Sequence, residues 1–156
     1  MDIKSIPNHE LERLKQKAQE LSGSKTDFHT EYSSLLARRL NNEPLQYIEE
    51  FMPFYTVQLR VDERALIPRP ETELLIYKVI NFFRNKKISI LDIGTGTGCI
   101  LISILSELRN SSGVGVDISQ KAIQMAIKNS KNMVLQTKQN FIENPLQKFI
   151  IRSLIW

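Results

Sequence analysis

The hydrophobic pattern switches between helical and strand periods, and the switches lay out the elements. From Glu10 to Leu21, the residues Leu11, Leu14, Ala18 and Leu21 recur at helical spacing with Lys and Glu on the other face, and Ser22-Gly23-Ser24 ends the run. A second run, from about Thr30 to Leu40, gathers Tyr32, Leu35, Leu36 and Leu40 and points Arg38 and Arg39 outward. These two amphipathic helices predict a small N-terminal helical lobe over residues 1–43, either a packing cap or a docking element. Pro44 interrupts the helical period, because proline lacks an amide donor and pushes its predecessor out of helical geometry. Extended chain is predicted next. Val57, Leu59 and Val61 alternate with Gln58 and Arg60, the period of a half-buried strand, and Tyr47-Ile48 offers a hairpin partner. Residues 44–70 therefore read as a β-hairpin linker.

Beyond residue 70 the order becomes helix, strand, helix, strand, helix. A helix from about Glu71 to Phe83 is entered through Ile67-Pro68-Arg69-Pro70, where Pro70, Glu71 and Glu73 are ordinary helix-start chemistry. That chemistry does not explain Arg69, which is held between two prolines. An apolar strand from Ile88 runs into Gly94-Thr95-Gly96-Thr97-Gly98, and a helix follows from Cys99 to Leu108. The next strand is Gly113 to Asp117. A helix from Ser119 to Lys131 comes after it, with Ser119 as its cap and Ala122, Ile123, Ala126 and Ile127 as its buried stripe. A further strand is predicted near Met133 to Gln136. This alternation predicts an α/β fold with a doubly wound parallel sheet, whose ligand sits outside the carboxyl ends of the strands.

The chemistry gathers at those ends. Alternating glycines let a backbone take angles closed to other residues and pass close to a ligand. Asp92 ends one strand. Asp117 ends the next, about twenty residues on, where a ribose-binding carboxylate is expected. The dinucleotide fingerprint wants its third glycine at the place of Cys99, which weighs against a nicotinamide enzyme.

Composition narrows the class. At 156 residues, with 42% hydrophobic and 24% charged, the chain is long enough for one domain or a small domain beside a partial larger one. The balance of 21 Lys and Arg against 17 Asp and Glu gives +4, a mild basic excess that predicts no direct nucleic-acid binding by itself. Cys99 is the single cysteine, which precludes an internal disulfide. With only His9 and His29 beside it, no metal-ligand cluster is expected. A reducing cytoplasm is the expected location. No apolar run approaches the roughly eighteen residues of a membrane span.

Three segments together carry a resemblance. Asp92-Ile-Gly-Thr-Gly-Thr-Gly98, Val114-Gly-Val-Asp-Ile-Ser119 and Pro68-Arg-Pro-Glu-Thr-Glu73, with Leu36-Ala-Arg-Arg-Leu40 and Glu43-Pro-Leu-Gln-Tyr-Ile48, resemble the HemK/PrmC protein-(glutamine-N(5)) methyltransferases from about Leu35 to Phe149. The resemblance implies a Rossmann-like sheet that binds S-adenosylmethionine. It implies methylation of the glutamine amide in the Gly-Gly-Gln motif of peptide chain release factors, which would be the partners. On the cofactor side, it implies that Gly94, Thr95, Gly96, Thr97 and Gly98 surround the methionine portion and that Asp117 meets the ribose hydroxyls. Asn140 and Phe141 match the residues near the adenine. Glu49 stands where the family usually has glycine after Tyr-Ile. The family's amide-binding Asn-Pro-Pro-Tyr motif does not occur; Asn144-Pro145-Leu146 reads as a turn. A fourth strand is expected at about Phe149, but the chain reads Phe149-Ile-Ile-Arg-Ser-Leu-Ile-Trp156. The expectation is a methyltransferase domain over 71–156, truncated at its C-terminus, with no catalytic residue of its own. The alternative function is a non-catalytic S-adenosylmethionine-binding fragment or pseudoenzyme.

Overall fold

A computed structural model describes residues 3–23, 26–131 and 139–143; within 139–143 the only side chain described is that of Phe141. The chain divides into two compact units, one over Met1–Phe51 and one from Met52 onward.

In the first unit, α1 (Asn8–Leu21) packs on α2 (Phe28–Leu40), and a short α3 (Leu45–Glu49) joins them. Leu14, Ala18, Leu35, Leu45 and Ile48 form the core. Asp27 caps α2 by accepting the Thr30 amide at 2.9 Å. Arg38 and Arg39 do not simply point outward, as the pattern predicts. Arg38 pairs with Glu43 at 2.6 Å and Arg39 with Glu10 at 2.6 Å, and both arginines are partly buried. Leu21, expected in the stripe, is 45% exposed at the C-terminal end of α1.

The stretch after Pro44 is helical, not extended. Proline's missing amide is one that a helix start does not use, and the Pro44 carbonyl accepts the amides of Tyr47 and Ile48 at 3.0 and 3.2 Å. Leu45 and Ile48 then lie one turn apart and both bury in the core. The helix ends at Glu50, whose φ of +66° is the left-handed conformation a glycine favours; the position is one beyond Glu49. Tyr47-Ile48 is therefore not the hairpin partner. That role belongs to β1 (Phe51–Phe54), which pairs with β2 (Val57–Arg60) across a two-residue turn at Tyr55-Thr56.

The second unit holds the hairpin, α4 (Glu71–Phe83) and a three-stranded parallel sheet. Its strands are β3 (Ser89–Ile93), β4 (Ser112–Asp117) and β5 (Gln139–Glu143), in that spatial order. The connections run through α5 (Cys99–Glu107) and α6 (Gln120–Lys131). Right-handed crossovers with no reversal of strand order put both helices on one face, where they also touch each other. Phe54, Val57, Leu59, Ile76, Ile80 and Ile102 fill the core between hairpin, α4 and α5. The other side of β3 is open, with Leu91 and Ile93 exposed. The strand expected near Met133 to Gln136 and the one expected from Phe149 lie outside the described residues. Among the described residues no helix is long and apolar enough to cross a membrane, and no cluster of His, Cys, Asp and Glu could hold a metal.

Candidate cofactor site

The site is built where β3 stops. Gly94, Gly96 and Gly98 take φ of +77°, +55° and +81°, so three residues of the five-residue turn hold a conformation that residues with a Cβ rarely adopt. It is pinned to the end of β4: the amides of Gly94 and Thr95 both donate to the Val116 carbonyl, at 2.8 and 3.0 Å. Asp117 completes the tie. One of its carboxylate oxygens accepts the Gly96 amide at 2.9 Å, and the other accepts the Ser119 amide at 2.9 Å. Ser119 in turn caps α6 by accepting the Ala122 amide at 3.2 Å. A single carboxylate thus bridges the turn and the start of α6.

Asp92 stands on the adjacent strand, opposite Gly115. Its carboxylate accepts the Thr95 hydroxyl at 2.7 Å. Burial pushes its pKa above the ordinary aspartate range; the Thr95 bond works against that shift, and the nearby charge of Asp117 adds to it.

The glycines differ in their surroundings. A Cβ on Gly94 would meet nothing within 4 Å, so its backbone faces open space at the mouth of the turn. A Cβ on Gly98 would lie 2.8 Å from Ile102 Cδ1 and 3.2 Å from Ala126 Cβ, so Gly98 serves the close packing of α5 and α6. The side chains of Thr95 and Thr97 are inside the fold, at 4% and 1% exposure, so a ligand would meet this part of the turn through its backbone. Asn140 and Phe141 lie along β5, opposite Val114 and Gly115. The Phe141 ring occupies the space that a Cβ on Gly115 would need, at 2.7 Å, and packs against the core. Arg69 precedes α4 and its carbonyl accepts the Thr72 amide at 3.0 Å.

One residue at the turn is absent from the sequence reading. Asn129, 1% exposed, bonds to the Thr97 carbonyl and to both backbone groups of Arg60. Its signal was available: positions 122, 126 and 129 share one helical face, and a polar residue on an apolar stripe calls for a partner. Met125 and Asn129 join the buried set of α6, and Ile127 is only half-buried.

A groove of about 490 Å³ lies elsewhere, at the amino ends of β3 and β4, lined by Arg84, Lys86, Lys87, Glu107 and Arg109 among others. Its cations sit beside the C-terminal ends of α4 and α5, where positive charge offsets the exposed carbonyls.

Proteins similar to this chain in sequence and fold are methyltransferases. A family model described as a methyltransferase domain matches residues 84–150. A release factor glutamine methyltransferase of Fusobacterium nucleatum is 42% identical over 113 residues, covering 72% of this chain and 32% of that protein. One from Streptococcus pneumoniae is 43% identical over 95 residues, covering 61% and 34%. Among solved structures, the SAM-dependent methyltransferase of Agrobacterium tumefaciens aligns at a TM-score of 0.57 with 22% identity. That alignment covers 66% of this chain and 34% of that one, a likeness of fold. The fold and the turn, with this family match, are those of a methyltransferase domain of the Rossmann-like class. Within that class, the chain resembles the release factor glutamine methyltransferases of the HemK/PrmC family. It spans about a third of the length of the two curated relatives described.

Proposed function

We propose that this chain provides the cofactor-binding part of an enzyme that transfers a methyl group from S-adenosylmethionine to the glutamine amide of the Gly-Gly-Gln motif in peptide chain release factors. The observation that carries the reading is the tie between turn and acid: Asp117 at the end of β4, bonded to the Gly96 amide beside the open backbone of Gly94. This arrangement fits the cofactor. The open face of the turn can receive a ligand against backbone, and a carboxylate at a strand end can accept from the two hydroxyls of a ribose. Once bound, the cofactor supplies a methyl on a positively charged sulfur. The chain's own residues bind and orient: Gly94 and Gly96 give close approach, Asp117 accepts from the ribose, and Asn140 and Phe141 border the adenine.

An amide nitrogen is a weak nucleophile, so transfer also needs groups that hold the amide in line with the methyl. The family's motif for that task, Asn-Pro-Pro-Tyr, does not occur in these 156 residues. This observation favours the second reading for the isolated chain, cofactor binding without transfer. Incubation with methyl-labelled S-adenosylmethionine and a release factor separates the two. Label on the Gly-Gly-Gln glutamine supports the enzyme, retained cofactor without label selects the binding fragment, and neither result sinks both.

A further inference from the structure

Asn129 lies near the end of α6, and its whole amide is engaged. Its Oδ1 accepts the Arg60 amide at 2.8 Å, and its Nδ2 donates to the Arg60 carbonyl at 3.0 Å and to the Thr97 carbonyl at 2.9 Å. Three bonds from one side chain thus join β2, α6 and the glycine turn. Burying an amide costs free energy unless it is bonded, and packing alone on this stripe would be served by leucine. What the amide adds is direction. Thr97 precedes Gly98, the left-handed residue at which the turn becomes α5 and which has no room for a Cβ. Because the peptide unit is planar, holding the Thr97 carbonyl fixes the orientation of the Thr97–Gly98 link and of the turn that ends there.

We propose that Asn129 is a positioning residue for the cofactor site: it clamps the Thr97–Gly98 peptide to the backbone of β2 and so sets the turn in its ligand-accepting shape before the ligand arrives. The inference rests on the cofactor reading above. Without the clamp the turn must be ordered on binding, and the cost is read as lost affinity.

Asn129→Asp keeps the shape and an acceptor and removes both donors. S-adenosylhomocysteine is titrated into parent and variant at a temperature where circular dichroism shows both folded. The expected result is a Kd at least tenfold weaker for Asn129→Asp. Ile80→Val, in the core of the same unit, is expected to lower the melting temperature and leave Kd within twofold, which separates positioning from general stability. Equal Kd values for parent and Asn129→Asp overturn the proposal alone. If the variant does not fold, amide hydrogen exchange on the parent decides. Saturating S-adenosylhomocysteine should slow exchange at the Arg60 amide together with those of Gly94 and Gly96; slowing in the turn with Arg60 unchanged refutes the clamp. A parent that does not bind S-adenosylhomocysteine takes down the cofactor reading and this inference with it.

Discussion

Gly94 and Gly98 share a backbone constraint and differ in what surrounds them, which gives their alanine variants different signatures. Gly98→Ala combines a left-handed alanine with a Cβ placed 2.8 Å from Ile102. It should lose about 2–4 kcal/mol of stability, read by urea unfolding. Gly94→Ala meets no atom within 4 Å and should lose only the conformational part, about 1–2 kcal/mol, yet its methyl enters the open space where the proposed cofactor would sit. S-adenosylhomocysteine affinity should therefore fall further for Gly94→Ala than its stability loss implies. Asp92 gives a pH signature. Its raised pKa means that the folded state favours the protonated form. The associated stability is fully present below the unfolded aspartate pKa and is lost as pH rises through the folded one. Asp92→Asn should therefore melt higher than the parent at pH 8 and converge with it below about pH 4; a difference that is constant with pH would contradict this. At this scale the turn and both strand-end acids were legible, because glycine spacing and strand-end carboxylates are local signals. The burial of Thr95 and Thr97 was not, since which face of a turn points inward depends on helices that pack over it.

Among the elements, α3 shows what periodicity misses. Five residues are too few to display a helical period, and Pro44 reads as a breaker until its carbonyl is seen to open the next helix. The left-handed end of α3 yields a direct prediction: Glu50→Gly relieves the conformation at φ +66° and should stabilise the first unit by about 1 kcal/mol in thermal melts. Unchanged or lower stability would mean that the contacts of the Glu50 side chain outweigh the relief. Longer elements were legible because each carries its own pattern: α4 and α5 begin and end close to the predicted residues, and Ser119 caps α6 as its position suggests. The partner of β2 was not legible, because Phe51–Phe54 contains Pro53 and lacks clean alternation.

In the whole molecule, two cores divide the labour. Leu14 is fully buried in the core of the first unit, and the glycine turn belongs to the second. Leu14→Ala should cost about 2–5 kcal/mol in the helical signal of the first unit while leaving S-adenosylhomocysteine affinity within twofold, as read by calorimetry. The parallel sheet could be predicted from the strand–helix alternation, but not the unreversed order β3-β4-β5 of its three described strands, from which their single-faced layering follows. The proposed function stands on the Gly94–Gly98 turn and Asp117 forming an S-adenosylmethionine pocket. Its most direct test is calorimetric titration of the purified chain with S-adenosylhomocysteine and with NAD, repeated on Asp117→Ala. The expected result is saturable binding of S-adenosylhomocysteine, none of NAD, and an affinity about 10–100-fold weaker in the variant, the worth of a hydrogen bond to a charged group. Absence of S-adenosylhomocysteine binding in a folded parent, or preferential binding of NAD, would contradict it.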